Sequence, residues 1–429
     1  MGYKTRDPIR GSDSFAAFEE VLAYSKWRQA DMLLLGGDVF HDNKPSRRTM
    51  HQAYDLLREY VLGDEPVSFQ VLSDQRDLEG RRGQVNYEDP HYSIGLPVFA
   101  IHGNHDDPTR EGGQEALAAL DLLSITNFVN YFGKQEKVDD VTLKPILIRK
   151  GATNLALYGL GNIRDERLNR MWTKQKVKFL RPSEEEGRDS FFNILVLHQN
   201  RAEGRGHKNA IFESMIPEWF DVVVWGHEHE CQTEFSESLH GRFRVIQPGS
   251  TVATSLVDGE AQPKHVCLLE LREQQFRRTT HRLQNVRPFV TRELRLDDEE
   301  YELDPEDMKV EASVDRVLEH SVRDLISAAR RERGEVLAEA LAEAQSGEAD
   351  PLPENKIFKL EEPNQVLVRL KVDRLGFQTL NNQRFGQRFV GEVANPADLL
   401  LFHQRRRITA SNEGGDAAGG GSSDGPKGR

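Results

Sequence analysis

The sequence predicts an α/β chain in two parts: a two-sheet α/β sandwich followed by a smaller α+β domain. Three observations carry this. Apolar runs of strand length alternate with helical stretches at first and then follow one another directly, which fits two sheets covered by helices. Several of those runs stop at a glycine, carboxylate, amide or imidazole, as strands do where an open α/β sheet presents its active site. Beyond Pro288 the texture changes to charged helix-forming sequence and then to one alternating stretch.

Ser12 or Asp13 opens an amphipathic helix over 12–30, and the strand Met32 to Leu35 follows. A second helix starts near Pro45-Ser46 and runs to about Leu62, with Met50, Ala53, Leu56, Leu57 and Tyr60 on one stripe. Residues 63–93 form a charged, Gly-bearing insertion without a clear period, and loops of that length are functional or disordered. After a strand ending at Ile101, residues 114–126 carry Ala116, Leu117, Leu120, Leu122 and Leu123, apolar nearly all round. Such a helix is expected to be buried on more than one side. Further strands are expected at 145–149, 154–158, 191–197, 222–225, 243–246, 265–271 and 275–283. A charged helix over 306–346 and a half-buried strand over 364–372 make up the second part. The boundaries expected are 1–289 for the sandwich, 290–411 for the smaller domain, and a disordered Gly/Ser tail at 412–429.

No apolar run approaches the roughly 20 residues that span a bilayer, and none follows Met1 as a secretory leader would, so no membrane partner is expected. Cys231 and Cys267 have neither metal-type spacing nor a disulfide framework, which suits a reducing nuclear or cytosolic compartment. A net charge of −13 argues at first sight against nucleic acid. The acid, however, is concentrated in 184–186, 297–300 and 302–307, whereas Arg201, Arg205, His207 and Lys208 follow His198 directly. Those cations are candidates for holding phosphates.

The chemistry is written at the strand ends. Val223-Val-Trp-Gly-His-Glu-His-Glu-Cys231 places His227 and His229 in His-x-His spacing, so both can reach a metal from one strand edge. Asp38 ends the run from Met32, Asn104 and His105 follow the run from Val98, and His198 ends the run from Ile194. Imidazole, amide and carboxylate without thiolate make a mixed N/O site for manganese, iron or zinc, manganese first.

This series resembles the calcineurin-like metallophosphoesterase superfamily. Gly36-Gly-Asp-Val-Phe-His-Asp-Asn-Lys-Pro-Ser46, Ile101-His-Gly-Asn-His-Asp-Asp-Pro108, Leu197-His-Gln-Asn200, Trp225-Gly-His-Glu-His-Glu-Cys231 and Gln247-Pro-Gly-Ser-Thr-Val-Ala-Thr-Ser255 are together similar to the eukaryotic Mre-eleven nucleases. The resemblance implies a manganese-dependent DNA nuclease of double-strand-break repair in the nucleus. Its activities would be single-strand endonuclease and 3′-to-5′ exonuclease, by a two-metal mechanism. It assigns Asp38 as the bridging ligand, Asn104, His198 and His227 to the second metal, and His229 with Asp38 to the first. His105 becomes a phosphate-facing proton donor and His41 a second phosphate-facing histidine. The family's Asp-x-His strand, which supplies two more ligands, precedes the point at which this chain opens, so weak binding at the first metal is expected. A non-catalytic DNA-binding scaffold and a general metallophosphatase are the alternatives.

Partners also follow from the resemblance. The helices at 45–62 and 114–126 would pair with their copies in a homodimer, which replacing Leu120 and Leu123 with Asp is expected to split without unfolding. The insertion would contact a nibrin-type regulatory subunit around Val85-Asn-Tyr-Glu-Asp-Pro90. A Rad-fifty coiled-coil ATPase would be met weakly, through the catalytic and capping surfaces.

Overall fold

The computed structural model describes residues 1–403 apart from 78–82, 111–114, 136–138, 186, 202–205, 207, 346–364 and 375. Two sheets stack face to face. The smaller joins β1 (Leu33–Gly36), β3 (Val98–Ile101) and β6 (Asn130–Tyr131) in parallel. In the larger, β9 (Thr153–Leu160), β11 (Phe191–His198), β12 (Val222–Gly226) and β14 (Arg244–Gln247) run parallel. β8 (Ile146–Lys150) and β2 (Gln70–Val71) extend it antiparallel at one edge, and β13 (Gln232–Glu237) closes the other. A separate hairpin follows, formed by β15 (His265–Arg272) and β16 (Gln275–Arg282).

Period-2 alternation explains the unbroken apolar runs. Ile194, Val196 and Val222 face inward and meet Phe99, Ile101, Leu155, Leu157 and Ile246 between the sheets. Leu195, Leu197, Val223 and Trp225 point the other way, onto Leu168 and Met171 of α4 (Asp165–Thr173). Both faces of β11 and β12 are therefore covered, as parallel strands require. The outer face of the smaller sheet carries α1 (Asp13–Trp27), α2 (Arg47–Val61) and α3 (Ala119–Ile125), which pack through Phe18, Leu22, Leu57 and Leu123 onto Val98 and Ala100. Ser46 starts α2 as its N-cap, its Oγ accepting the Thr49 N–H at 3.1 Å.

The second part has its own core. β17 (Phe289–Arg295), β18 (Leu367–Asp373) and β19 (Leu400–His403) form a parallel sheet against α5 (Val310–Gln345) and the short α6 (Asn382–Gly386). Leu294, Leu318, Val322, Leu370, Phe385 and Phe389 form its cluster. The two parts are tied by Arg287, which donates to Asp13 at 2.8 and 2.9 Å and to the carbonyls of Ile9 and Gln365.

Three expectations change. β18 is not half-buried: it is central and parallel, and only Lys371 of its residues is not fully buried. Arg369 reads as polar in the sequence but is buried there and paired with Asp398 at 2.6 Å. The helix expected over 114–126 shrinks to Ala119–Ile125, with Ala116–Leu117 paired as a strand to Thr109–Arg110. It is buried on one side only, because Leu120 and Leu123 are both 0% exposed whereas Leu122 and Ile125 are about half exposed. In the insertion, Val85, Asn86 and Asp89 are buried rather than loose. Asn86 and Asn130 exchange amide hydrogen bonds at 2.8 and 2.9 Å, which pins the segment to β6. The tail 412–429 lies outside the described residues. None of the described helices is long and apolar enough to cross a membrane.

These burials separate core from surface on one short helix. Leu123→Asp forces a charge into the core and should cost more than about 4 kcal/mol. Ile125→Asp should stay within about 0.5 kcal/mol of wild type when both are compared as monomers. Urea unfolding midpoints of both variants measure the difference.

Candidate metal centre

Strands from both sheets deliver their functional residues to one place. β1 ends at Gly36 with Asp38 just beyond, β3 ends at Ile101 before Asn104 and His105, His198 closes β11, and His227 and His229 follow β12. The sheets approach closely here because glycines line the contact. A Cβ at Gly37 would lie 2.3 Å from His198 Nδ1, one at Gly103 would lie 2.0 Å from Asp38 Oδ1, and one at Gly226 would lie 2.2 Å from the Gly36 carbonyl. Asp38 and His227 adopt left-handed backbone conformations, with φ of +50° and +82°. Strain of that kind costs on the order of 1–3 kcal/mol per residue and collects at functional sites.

His198 donates its Nδ1–H to the Gly36 carbonyl at 2.8 Å, across the gap between the sheets. Its Nε2 is thereby turned towards Asp38 Oδ2 at 3.3 Å and Asn104 Oδ1 at 3.2 Å. His227 Nδ1 lies 2.9 Å from the same Asn104 oxygen. Two imidazoles, a carboxylate and an amide thus converge, while His229 turns its Nδ1 to Glu260 at 2.7 Å. No group of three or more His, Cys, Asp or Glu among the described residues is placed as a metal site, and the convergence at Asp38 is completed by the amide of Asn104. The oxygen and nitrogen donors, seated in a cradle that any Cβ would fill, fit a divalent cation of the manganese, iron or zinc type.

Electrostatics keep Asp38 and His227 in ligand form, whereas His198 is drawn towards its protonated form by Asp38. Burial raises the Asp38 carboxyl, but the His198 imidazole and the His105 N–H outweigh it and leave the group at about 2. Burial and then His198 lower His227 to about 4, so it is neutral at physiological pH. For His198 itself burial is outweighed by Asp38 and the Gly36 carbonyl, and the imidazole is raised.

His105 donates its backbone N–H to Asp38 Oδ1 at 2.8 Å and its Nδ1–H to the His41 carbonyl at 2.7 Å. The His41 and His105 rings stack, 4.8 Å apart and 24° from parallel. Burial, then His105, lowers the His41 imidazole. Asp38, His41, His105, His198, His227 and His229 all line one cavity of about 720 Å³, which continues inward along the apolar walls of β1 and β15.

Comparison with known proteins agrees with this geometry. Residues 7–231 match the calcineurin-like phosphoesterase family model, and residues 276–425 match the Mre11 DNA-binding presumed domain. The chain is 49% identical over 410 residues to the double-strand break repair protein MRE11 of Arabidopsis thaliana, covering 94% of this chain and 52% of that one. It is 41% identical over 409 residues to the protein of that name in Mus musculus, and 40% over 409 residues to that in Homo sapiens. In both cases 95% of this chain and 54% of the relative are covered. The chain belongs to the Mre11 family of calcineurin-like phosphoesterases. It spans about half the length of these curated relatives.

The Mre11-family chain also uses residues that its motifs did not announce. Asp106 is buried and accepts the N–H groups of Gly103 at 2.6 Å and Phe40 at 3.2 Å, which locks the turn after β1 to the turn after β3. The only signal for it was its place in Gly103-Asn-His-Asp106. Glu260 has no motif at all. Arg201, expected to face phosphates, is instead tied into the fold, pairing with Glu213 at 2.8 Å and Gln247 at 3.2 Å and lying over the Trp225 ring. Lys208 is exposed, and Arg205 and His207 lie outside the described residues.

His102 reports on this corner through pH. It is buried, accepting from the Tyr131 hydroxyl at 2.8 Å and donating to the Asn162 carbonyl, and burial lowers it from 6.5 to about 4. The folded state therefore binds fewer protons than the unfolded chain between these values. The resulting stability is full above pH 6.5 and is lost as pH falls towards 4. Urea midpoints of wild type should drop more steeply across that window than those of His102→Gln.

Proposed function

We propose that this chain hydrolyses DNA phosphodiesters with manganese held by Asp38, Asn104, His198 and His227, and with Asp38 and His229 facing a second ion. The observation that carries the reading is the convergence of those donors at the carboxyl ends of parallel strands from two sheets. A divalent ion bound there supplies Lewis-acid charge to the phosphoryl oxygens. Asp38 is anionic and His227 neutral at physiological pH, so neither must lose a proton to bind. His105 holds Nδ1–H on the His41 carbonyl, which leaves Nε2 to exchange a proton with the leaving oxygen. His41, stacked against it, is the second imidazole facing the phosphate.

DNA as substrate is supported by the match to the Mre11 DNA-binding presumed domain and by the relatives' name. On this reading the activities are single-strand endonuclease and 3′-to-5′ exonuclease, in the nucleus. Arg205 and Lys208 contact phosphates, whereas Arg201 is held by Glu213. The nuclease unit is 1–289 and the capping unit 290–411. A homodimer forms through α2 and α3, where Leu122 and Ile125 are the exposed apolar residues. The regulatory, nibrin-type partner meets the exposed stretch from Pro90 to Ser93, and the Rad-fifty coiled-coil ATPase meets the catalytic and capping surfaces.

Manganese-dependent cleavage of a DNA hairpin, measured beside hydrolysis of p-nitrophenyl phosphate, tests the substrate class. Cleavage of the ester alone would favour a general phosphatase. His105→Asn should lose about 10²-fold or more in cleavage while keeping manganese and DNA binding, as removal of a positioned proton donor does. His227→Ala should lose manganese first, which calorimetry resolves. In sedimentation, Leu122→Asp combined with Ile125→Asp should turn dimers into folded monomers; a monomeric wild type would rule out the interface.

A further inference from the structure

The manganese reading above leaves the orientation of His229 to be explained, because nothing in His-x-His spacing says which ring nitrogen faces the cavity. Glu260 decides it. The carboxylate lies in the turn Asp258–Ala261, is 1% exposed, and is surrounded by donors. Oε1 accepts the Thr254 N–H at 3.0 Å and the Thr254 hydroxyl at 3.1 Å, and it lies 2.7 Å from His229 Nδ1. Oε2 accepts the N–H groups of Ser255 at 2.8 Å and Leu256 at 2.6 Å. An ionised carboxylate has only acceptors to offer, so His229 Nδ1 must carry the hydrogen in the neutral ring. Its Nε2 is then an unprotonated lone pair.

The backbone of His229 is fixed as firmly as its ring. Its carbonyl accepts from the Ser250 N–H at 3.2 Å, the Ser250 hydroxyl at 3.4 Å and Lys264 Nζ at 3.2 Å. With the carbonyl pinned on one side and Nδ1 on the other, little rotation is left to the imidazole. We propose that Glu260 is the positioning residue of this centre, setting the tautomer and direction of His229 so that Nε2 is presented to the manganese ion. Outer carboxylates that hold a ligand imidazole in this way typically raise metal affinity 10- to 100-fold.

The amide isostere gives a sharp test because it cannot satisfy both sides of the turn. In Glu260→Gln an NH₂ group at the Oε2 position would oppose the two donors Ser255 N–H and Leu256 N–H. At the Oε1 position it would oppose one backbone donor, the Thr254 N–H, rather than two, and it requires His229 Nδ1 to become an acceptor with the hydrogen moved to Nε2. That nitrogen can then no longer bind metal.

Imidazole ¹⁵N spectra of metal-free protein should show His229 protonated at Nδ1 in wild type and at Nε2 in Glu260→Gln. Manganese titration calorimetry should show a 10- to 100-fold loss of affinity in the variant, with the melting curve confirming that it is folded. A wild-type ring protonated at Nε2 overturns the proposal without any variant, so failure of Glu260→Gln to fold leaves it testable. A folded variant with the wild-type tautomer and affinity also overturns it. A swapped tautomer with unchanged affinity removes His229 from the ligand set and overturns the proposal on that side. Wild type with the expected tautomer but no manganese binding would refute the metal reading itself, since the tautomer is read with no metal present.

Discussion

The hydrogen bond from His198 to the Gly36 carbonyl is the contact on which the site depends. It crosses from the last residue of β11 in the larger sheet to the last residue of β1 in the smaller one. Its 2.8 Å length is possible only because Gly37 and Gly226 bring no side chain to the seam. Once that bond is made, the Nε2 face of the ring, the Asp38 carboxylate and the Asn104 amide have nowhere to point except at one another. The inter-sheet core of Phe99, Ile101, Ile194 and Val196 sets the spacing, and the seam turns that spacing into a geometry for ligands.

Around this seam the structure separates charge states by position. Asp38 stays anionic because donors reach it in spite of burial, whereas the Asp106 carboxyl is raised by burial and by Asp38 although two backbone N–H groups oppose that. The two aspartates therefore hold different roles in two adjoining turns. One faces the cavity and the other staples backbone to backbone. Glu260 combines the two, since it is held at about 2 by His229 and the Thr254 N–H against burial while it closes the turn at Leu256, itself at a φ of +54°.

Much of this was legible in the sequence because carboxylate, amide and imidazole groups sit where apolar runs stop. Strand ends marked Asp38, Asn104, His198 and His227 as candidates and the resemblance supplied their roles, while β8, β9, β11, β12 and β14 were read within a residue or two and β2 and β13 were not expected. What stayed hidden was set by long-range contact. Glu260 lies 31 residues from His229 in a turn with no periodic signal. Arg201 looked like a free cation beside a metal ligand, yet Glu213 and Trp225 claim it. Residues 114–126 are apolar enough for a longer helix, but the pairing of Ala116–Leu117 with Thr109–Arg110 takes the first turn away. β18 was misjudged for the opposite reason, since the Asp398 partner that lets Arg369 be buried comes from a distant segment.

Arg287 has a consequence for the order in which the chain matures. Asp13 is buried in the first turn of α1 beside Arg10, whose Nε lies 3.8 Å away, and the guanidinium that hydrogen-bonds both its oxygens lies 274 residues further on. The same guanidinium donates to the carbonyl of Gln365, 78 residues later still. A chain made from its amino terminus must therefore reach Arg287 before Asp13 gains its two guanidinium hydrogen bonds. The start of α1 is thus fastened by a residue that arrives long after the helix itself.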